Sequence, residues 1–159
     1  MFRIISSEKG SKPRVKLKEQ IRELEKEVVK AQDASTNEAV SGTPRNIPLE
    51  VEEVLSESGK NPRAALLLLS TKIESEIKAR LKDAGVTLSR QYATASQAVE
   101  TGVKAGIFTR EFSSAFRDFW TVRNRIVHGE AFEVNDNTIL SLISLGTELL
   151  KVISNEKSS

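Results

Sequence analysis

The chain contains no cysteine and a single histidine, His128, among its 159 residues. Without cysteine it forms no disulfide, binds no metal through thiolates and has no cysteine nucleophile. One histidine also excludes any site that needs two imidazoles from one chain, so a metal would have to be held by carboxylates. A carboxylate cage stays possible, but we expect no resident metal and no cofactor, and few catalytic options remain.

Long hydrophobic runs are also missing. The densest apolar stretch, residues 64–69, is far shorter than the roughly 20 residues that cross a membrane. Residues 1–5 are too few for a signal peptide. We expect no membrane span in this chain and a cytoplasmic location. The abrupt apolar start is also consistent with a boundary inside a larger or membrane-anchored protein that carries an upstream domain.

The formal charge of +2 is too small to indicate nucleic-acid binding from composition alone. The charge is unevenly distributed, since residues 1–32 hold nine Lys and Arg against five Asp and Glu. In this basic segment a helical apolar seam recurs at spacings of four, three and four: Leu17, Ile21, Leu24 and Val28. The seam either packs on the main body of the protein or mediates self-association.

The composition between residues 33 and 47 turns to Ser, Thr, Asn, Gly and Pro without any period, which is typical of a flexible linker. The sequence thus predicts three parts: a basic N-terminal arm and helix over 1–32, a linker over 33–47, and a helical domain over 48–159. We expect the helical domain to fold without the arm.

Start and stop signals for helices divide the remaining chain. Proline, Asn or Thr caps and terminal glycines bracket helices over 48–59, 61–85 and 109–129, a short helix within 88–106, and a last helix that opens at Asn137 or Thr138. No segment alternates like a strand. The fold class is therefore all-α, a compact antiparallel bundle of four to five helices with an extra N-terminal helix.

Arg123 breaks an otherwise apolar pattern. The helix over 109–129 carries an apolar stripe of Phe112, Phe116, Phe119 and Ile126, and Arg123 occupies a position on that stripe. Phe116, Phe119 and Trp120 are expected in the core rather than as base-stacking platforms. A guanidinium on a buried face needs a carboxylate, a water-filled cleft or the anion of a ligand. The alternatives are a structural ion pair or a side chain that reaches water along the stripe.

His128 stands five residues after Arg123 and directly before Gly129. Histidine is the side chain that changes charge near neutral pH, so it suits acid or base chemistry. Asn124 lies four residues before His128 on the same helical face and is a candidate to orient the imidazole or to contact substrate. Simple capping of the helix is the alternative function of His128.

The segment RNRIVHG at residues 123–129 resembles the signature of the HEPN superfamily, in which an arginine, a polar residue, three further residues and a histidine end a core helix. The segment NPRAAL at residues 61–66, followed by Ile73 and Glu74, is similar to the first long helix of prokaryotic HEPN domains. The resemblance covers about residues 48–154 and leaves the arm and the linker outside.

The resemblance implies a homodimer in which Arg123 and His128 of both copies line one cleft. Many such domains are metal-independent endoribonucleases of toxin or defence systems, whose partners include RNA and an antitoxin. Others are noncatalytic nucleotide-binding or dimerisation modules of larger proteins. The residues then expected to act are Arg123, His128 and Asn124.

Three further residues are expected to assist. The local charge of residues 107–129 is +2, and its arginines Arg117 and Arg125 are candidates to bind the RNA backbone. Glu74, on the helix expected to face the motif, is the candidate partner of Arg123. A solvated helix face is the alternative reading of these charges.

Overall fold

The computed structural model describes residues 13–36, 47–88, 94–129 and 134–155, and all regular structure in these ranges is helical. Six helices follow one another, and the expected all-α bundle is confirmed. They are α1 (Pro13–Thr36), α2 (Ile47–Ser58), α3 (Pro62–Asp83), α4 (Ala95–Lys104), α5 (Arg110–Val127) and α6 (Asp136–Asn155).

The predicted helix ends are formed by side-chain caps and left-handed glycines. The Asn61 side chain accepts the N–H of Ala64 at the start of α3, and the Thr109 hydroxyl accepts the N–H of Phe112 at the start of α5. After α3 and α5, Gly85 and Gly129 adopt φ of 76° and 74°, which only glycine adopts without strain.

The start of α4 lies within the expected range, and the start of α6 differs from the expectation. α4 begins behind a capping box in which Thr94 and Gln97 exchange hydrogen bonds between side chain and backbone. α6 begins at Asp136 instead of Asn137 or Thr138, because the Asn135 side chain accepts the N–H of Thr138 at 2.8 Å. The capping position of α6 therefore lies two or three residues before the one expected.

Polar contacts between helices define their directions. Arg125, near the end of α5, donates a hydrogen bond to Gln20, near the start of α1. Arg63, at the start of α3, donates a hydrogen bond to the backbone carbonyl of Ile126 in α5. α5 is therefore antiparallel to both helices. Gln32, late in α1, donates a hydrogen bond to Glu148, late in α6. Those two helices are therefore parallel. The first turns of α1, α3 and α6 and the last turn of α5 thus lie at one end of the bundle, here called the site end.

The centre of the core is formed by α3, α5 and α6. All three aromatic residues of the α5 stripe are buried, as are the apolar residues of α3 and α6 that the helical period predicts. The helices approach most closely at Gly146, where a Cβ would lie 2.5 Å from Leu69 Cδ2 and 2.7 Å from Phe119 Cε1. Only a residue without a side chain permits this packing distance.

Residues 136–154 of α6 are long and apolar enough to meet the length and hydropathy criteria for a membrane span, and half of this stretch is buried inside the bundle. No other helix in the described ranges meets them. The core helices of globular proteins meet the same criteria. The packing of α6 against α1 and α3 accounts for its apolar composition.

The N-terminal helix belongs to the same core. The whole seam of α1 is buried and packs on α5 and α6, its members being Leu17, Ile21, Leu24, Val28 and Ala31. Of the two alternatives for this seam, packing on the main body is the one observed. The helix also continues to Thr36, past the expected linker start at residue 33, and linker residues 37–46 lie outside the described residues. Whether residues 48–159 fold without this helix stays a prediction.

Substitution of Leu24 by alanine tests whether α1 and the bundle unfold as one unit. Leu24 is fully buried, so Leu24→Ala should lower the free energy of unfolding by about 2–5 kcal/mol in a single transition. Val29, 54% exposed on the same helix, provides the control, and Val29→Ala should change it by less than about 0.5 kcal/mol. A main unfolding transition unaffected by Leu24→Ala, measured by circular dichroism in urea, would show that the arm is independent.

The interface between α1 and α5 contains a carboxyl group in an unfavourable place. Burial raises the pKa of Asp118 on α5, and the carboxylates of Glu27 and Glu23 on α1 raise it further, while Arg117 lowers it. A raised pKa in the folded state means that the ionised form is penalised by folding. The stability that the neutral carboxyl contributes is therefore lost as the pH rises above 3.8, which is the ordinary pKa of an aspartate side chain.

We expect Asp118→Asn to stabilise the protein at pH 7 and to leave its stability unchanged below about pH 4, where the carboxyl is neutral in both states. Because the group is only partly buried, the gain should be roughly 0.5 kcal/mol, or about 1–2 °C in Tm. Thermal melts at both pH values measure this gain, and Glu100→Gln, at an exposed position of α4, is the control. A lower Tm for Asp118→Asn at pH 7 would contradict the assigned direction.

Candidate functional site

Arg123 is half-buried between α5 and α3 and is held by three neighbouring groups. Its Nε–H donates to the Ser70 hydroxyl on α3 at 3.1 Å, and an Nη1–H donates to Asn124 Oδ1 at 2.7 Å. Its guanidinium lies over the Trp120 ring, with Cζ 4.8 Å from the ring centroid, in the geometry of a cation–π contact. These contacts fix the guanidinium plane and satisfy part of its hydrogen-bonding capacity.

The neighbours of Arg123 leave its charge without a bonded carboxylate. Ser70, Asn124 and Trp120 are all neutral. Burial lowers the pKa of Arg123, and the carboxylate of Glu74 acts in the opposite direction with a smaller effect. Of the five N–H donors of a guanidinium, two are bonded to described residues, and three remain for a ligand. The arrangement is typical of a cation prepared to bind an anion.

Phe108, just before α5, and three aromatic residues of α5 form a column that ends at Arg123. Successive rings at four-residue spacing have centroids 5.1, 6.2 and 5.0 Å apart, the members being Phe108, Phe112, Phe116 and Trp120. Phe116 and Phe119 are buried in the core, as expected, whereas Trp120 is half-buried and supports the guanidinium. The stack therefore positions Arg123 from one side while Ser70 positions it from the other.

His128 lies at the end of α5 and is exposed to solvent. Its backbone N–H donates to the Asn124 carbonyl at 2.9 Å, and the N–H of Gly129 donates to the Ile126 carbonyl at 3.2 Å. The backbone of His128 thus caps the helix, as the alternative function predicts, while its imidazole is accessible. The Asn124 side chain bonds Arg123 and so serves the guanidinium, whereas its expected role toward the imidazole stays a prediction.

Two residues of this region were not predicted from the sequence. Ser70 bonds Arg123, and Arg63 donates to the Ile126 carbonyl at 3.0 Å, which ties the start of α3 to the last turn of α5. In the sequence, Arg63 stood out only as part of the NPRAAL segment at residues 61–66. A basic residue beside a helix C-terminus is favourable, but nothing in the sequence shows that α3 and α5 meet there.

The remaining candidate residues are distributed around the site. Glu74 forms an ion pair with Lys78 at 3.3 Å and affects Arg123 through space rather than through a bonded contact. Arg125 donates to Gln20 of α1 at 2.9 Å and so faces the other side of α5. Arg117 is exposed on the outer face. The expected roles of Arg117 and Arg125 toward RNA, and that of Glu74 as the partner of Arg123, stay predictions.

Comparisons with protein-family models, with characterised proteins and with solved structures find no match to this chain. Within the ranges that the structure describes, no group of three or more His, Asp or Glu side chains is placed to hold a metal ion. The function must therefore be argued from the site itself.

Replacement of Arg123 by methionine tests whether the charge is maintained at the expense of stability. The lowered pKa shows that burial disfavours the charged form, and methionine retains much of the volume and the contact with Trp120. Arg123→Met should therefore melt at the wild-type temperature or higher. Arg117→Met on the exposed face serves as the control. A Tm lower by several degrees for Arg123→Met alone would show that the arginine is mainly structural.

Proposed function

We propose that this chain is a HEPN-like, metal-independent endoribonuclease that acts as a homodimer. The observation that carries the proposal is the state of Arg123, a half-buried guanidinium held in place by neutral groups, with three N–H donors not bonded to described residues. It lies in the same two helical turns as the exposed His128, and these are the two residues of the motif that resembles the HEPN signature.

The reaction proposed is attack of an RNA 2′-hydroxyl on the adjacent phosphorus. A bond forms from the 2′ oxygen to phosphorus and the bond to the 5′ oxygen breaks, which leaves a 2′,3′-cyclic phosphate and a 5′-hydroxyl. His128 accepts the proton of the attacking hydroxyl or donates one to the leaving oxygen. Arg123 binds the nonbridging oxygens and stabilises the negative charge that grows on them.

A second copy of the chain is proposed to complete the cleft. Leu67, 43% exposed, lies three residues before Ser70 on the same face of α3, and Trp120 and Val127 of α5 are half-exposed. An apolar surface around a fixed cation suits a symmetric interface with a polar centre. In a toxin or defence system the partner of such a dimer would be an antitoxin or another domain, and the cytoplasm would be the compartment where it meets RNA.

Cleavage of RNA in the presence of EDTA tests the proposal directly. The wild-type protein should cleave mixed single-stranded RNA to products ending in 2′,3′-cyclic phosphate, and His128→Ala should reduce the rate about 10²–10⁴-fold. Arg123→Lys should also reduce it strongly, because an ammonium does not bind two phosphate oxygens in the planar geometry of a guanidinium. Arg110→Ala, an exposed arginine at the far end of α5, is the matched control and should retain activity.

Contrary outcomes separate the alternatives. Equal cleavage by the wild type and both site variants would identify a contaminating nuclease. A requirement for Mg²⁺ with 5′-phosphate products would exclude the mechanism. Absence of cleavage, with RNA or nucleotide still bound, would favour a noncatalytic module, and a monomer in sedimentation at micromolar concentration would exclude the shared cleft.

A further inference from the structure

A second group of basic side chains lines a groove outside the proposed catalytic site. The groove runs between α1 and the first turns of α6 at the site end of the bundle. Its polar lining comes from Lys18, Arg22 and Glu25 on α1 and from Asn137, Thr138 and Ser141 on α6. The α1 helix lies outside the part of the chain that resembles HEPN domains, so the resemblance assigns no function to this groove.

The two cations of the groove are available to a ligand. Lys18 and Arg22 are four residues apart, so they project from one face of α1, and both are exposed. Neither forms a hydrogen bond or an ion pair within the described part of the chain. Among the described residues that line the groove, Glu25 is the one acid, so this part of the lining carries a net charge of +1. The lining therefore favours an anion.

The hydrogen-bonding groups of α6 add to these charges. The Asn135 side chain already accepts the N–H of Thr138, so the contribution of α6 comes from its side chains rather than from the helix terminus. Asn137 and Ser141 are exposed beside the groove and supply amide and hydroxyl donors. Such donors next to Lys and Arg are the usual contacts of a nucleic-acid backbone.

The groove is connected to the proposed catalytic site by the packing of α1. Gln20, which lies between the two cations in sequence, accepts from Arg125, and Arg125 stands three residues before His128. The groove and the end of α5 thus flank the first turns of α1, separated by about one helix diameter, roughly 10 Å. A single polynucleotide chain can span that separation.

We propose that the α1–α6 groove binds the phosphodiester backbone of single-stranded RNA whose scissile phosphate lies at Arg123 and His128. The inference rests on the proposed function. It assigns α1 a role in holding the substrate in addition to its role in the core, and it names a phosphate subsite made by Lys18 and Arg22.

Binding of a labelled single-stranded RNA, measured by fluorescence polarisation at several salt concentrations, tests the groove. The protein carries His128→Ala in every case, so that the RNA is not cleaved. Adding Lys18→Gln with Arg22→Gln should raise Kd roughly tenfold near 0.1 M salt and reduce the slope of log K against log salt by about 1.4, because two phosphate contacts are lost. Adding Glu25→Gln instead should lower Kd, because it removes the acid from the groove.

The matched control adds Lys26→Gln with Lys30→Gln, an exposed pair at the same spacing on the outer face of α1. This pair removes the same charge but should change Kd less than about twofold. Equal effects of the two double variants would overturn the inference, since net charge alone would explain them. Circular dichroism melts verify that each variant is folded.

The outcomes distinguish this inference from the proposed function. RNA cleavage by the wild-type protein together with unchanged binding by the groove variant would overturn the groove alone. Groove-dependent binding without cleavage by the wild-type protein would support the groove and overturn the nuclease. Neither binding nor cleavage over RNAs of mixed sequence would overturn both.

Discussion

The placement of a guanidinium on the apolar stripe of α5 constrains the rest of the site. Removing this charge from water is costly unless its donors are bonded, and the bundle meets that requirement in part, with Ser70 from α3, Asn124 from α5 and the face of Trp120. These groups hold the side chain but do not neutralise it. A cation that is held without being neutralised retains its attraction for an anion, and this is the basis of the proposal that Arg123 binds phosphate.

The directions of the helices bring the relevant groups to one end of the bundle. Because α5 is antiparallel to α1 and α3, its last turn meets their first turns, where Arg63 bonds the Ile126 carbonyl and Gln20 accepts from Arg125. These two contacts fix the last turn of α5 from both sides. His128 follows that turn directly and remains exposed, so the helix end is held by contacts on two sides while its imidazole is accessible.

The elements that depend on neighbours in sequence were predictable. Caps at Asn61 and Thr109, the left-handed Gly129 and the apolar stripes all follow from local hydrogen bonding and from the 3.6-residue period. The partners of Arg123 and Arg125 were not, since Ser70 and Gln20 are 53 and 105 residues away and only the packed bundle brings them close. The polar composition after α1 likewise indicates a boundary in sequence, although the seam of α1 is buried in the common core.

Charged residues of α1 lie on both flanks of its contact with the bundle. Glu23 and Glu27 lie near the partly buried Asp118 of α5, so repulsion between carboxylates weakens that contact. On the other flank, Lys18 and Arg22 border the groove with α6. A ligand that contacts α1 and α6 together binds only the docked helix, and by mass action it therefore stabilises the docked state. If the groove binds RNA as proposed, RNA binding and the docking of α1 are thermodynamically coupled, and each favours the other. The weaker the contact near Asp118, the larger the share of the docking free energy that such a ligand supplies.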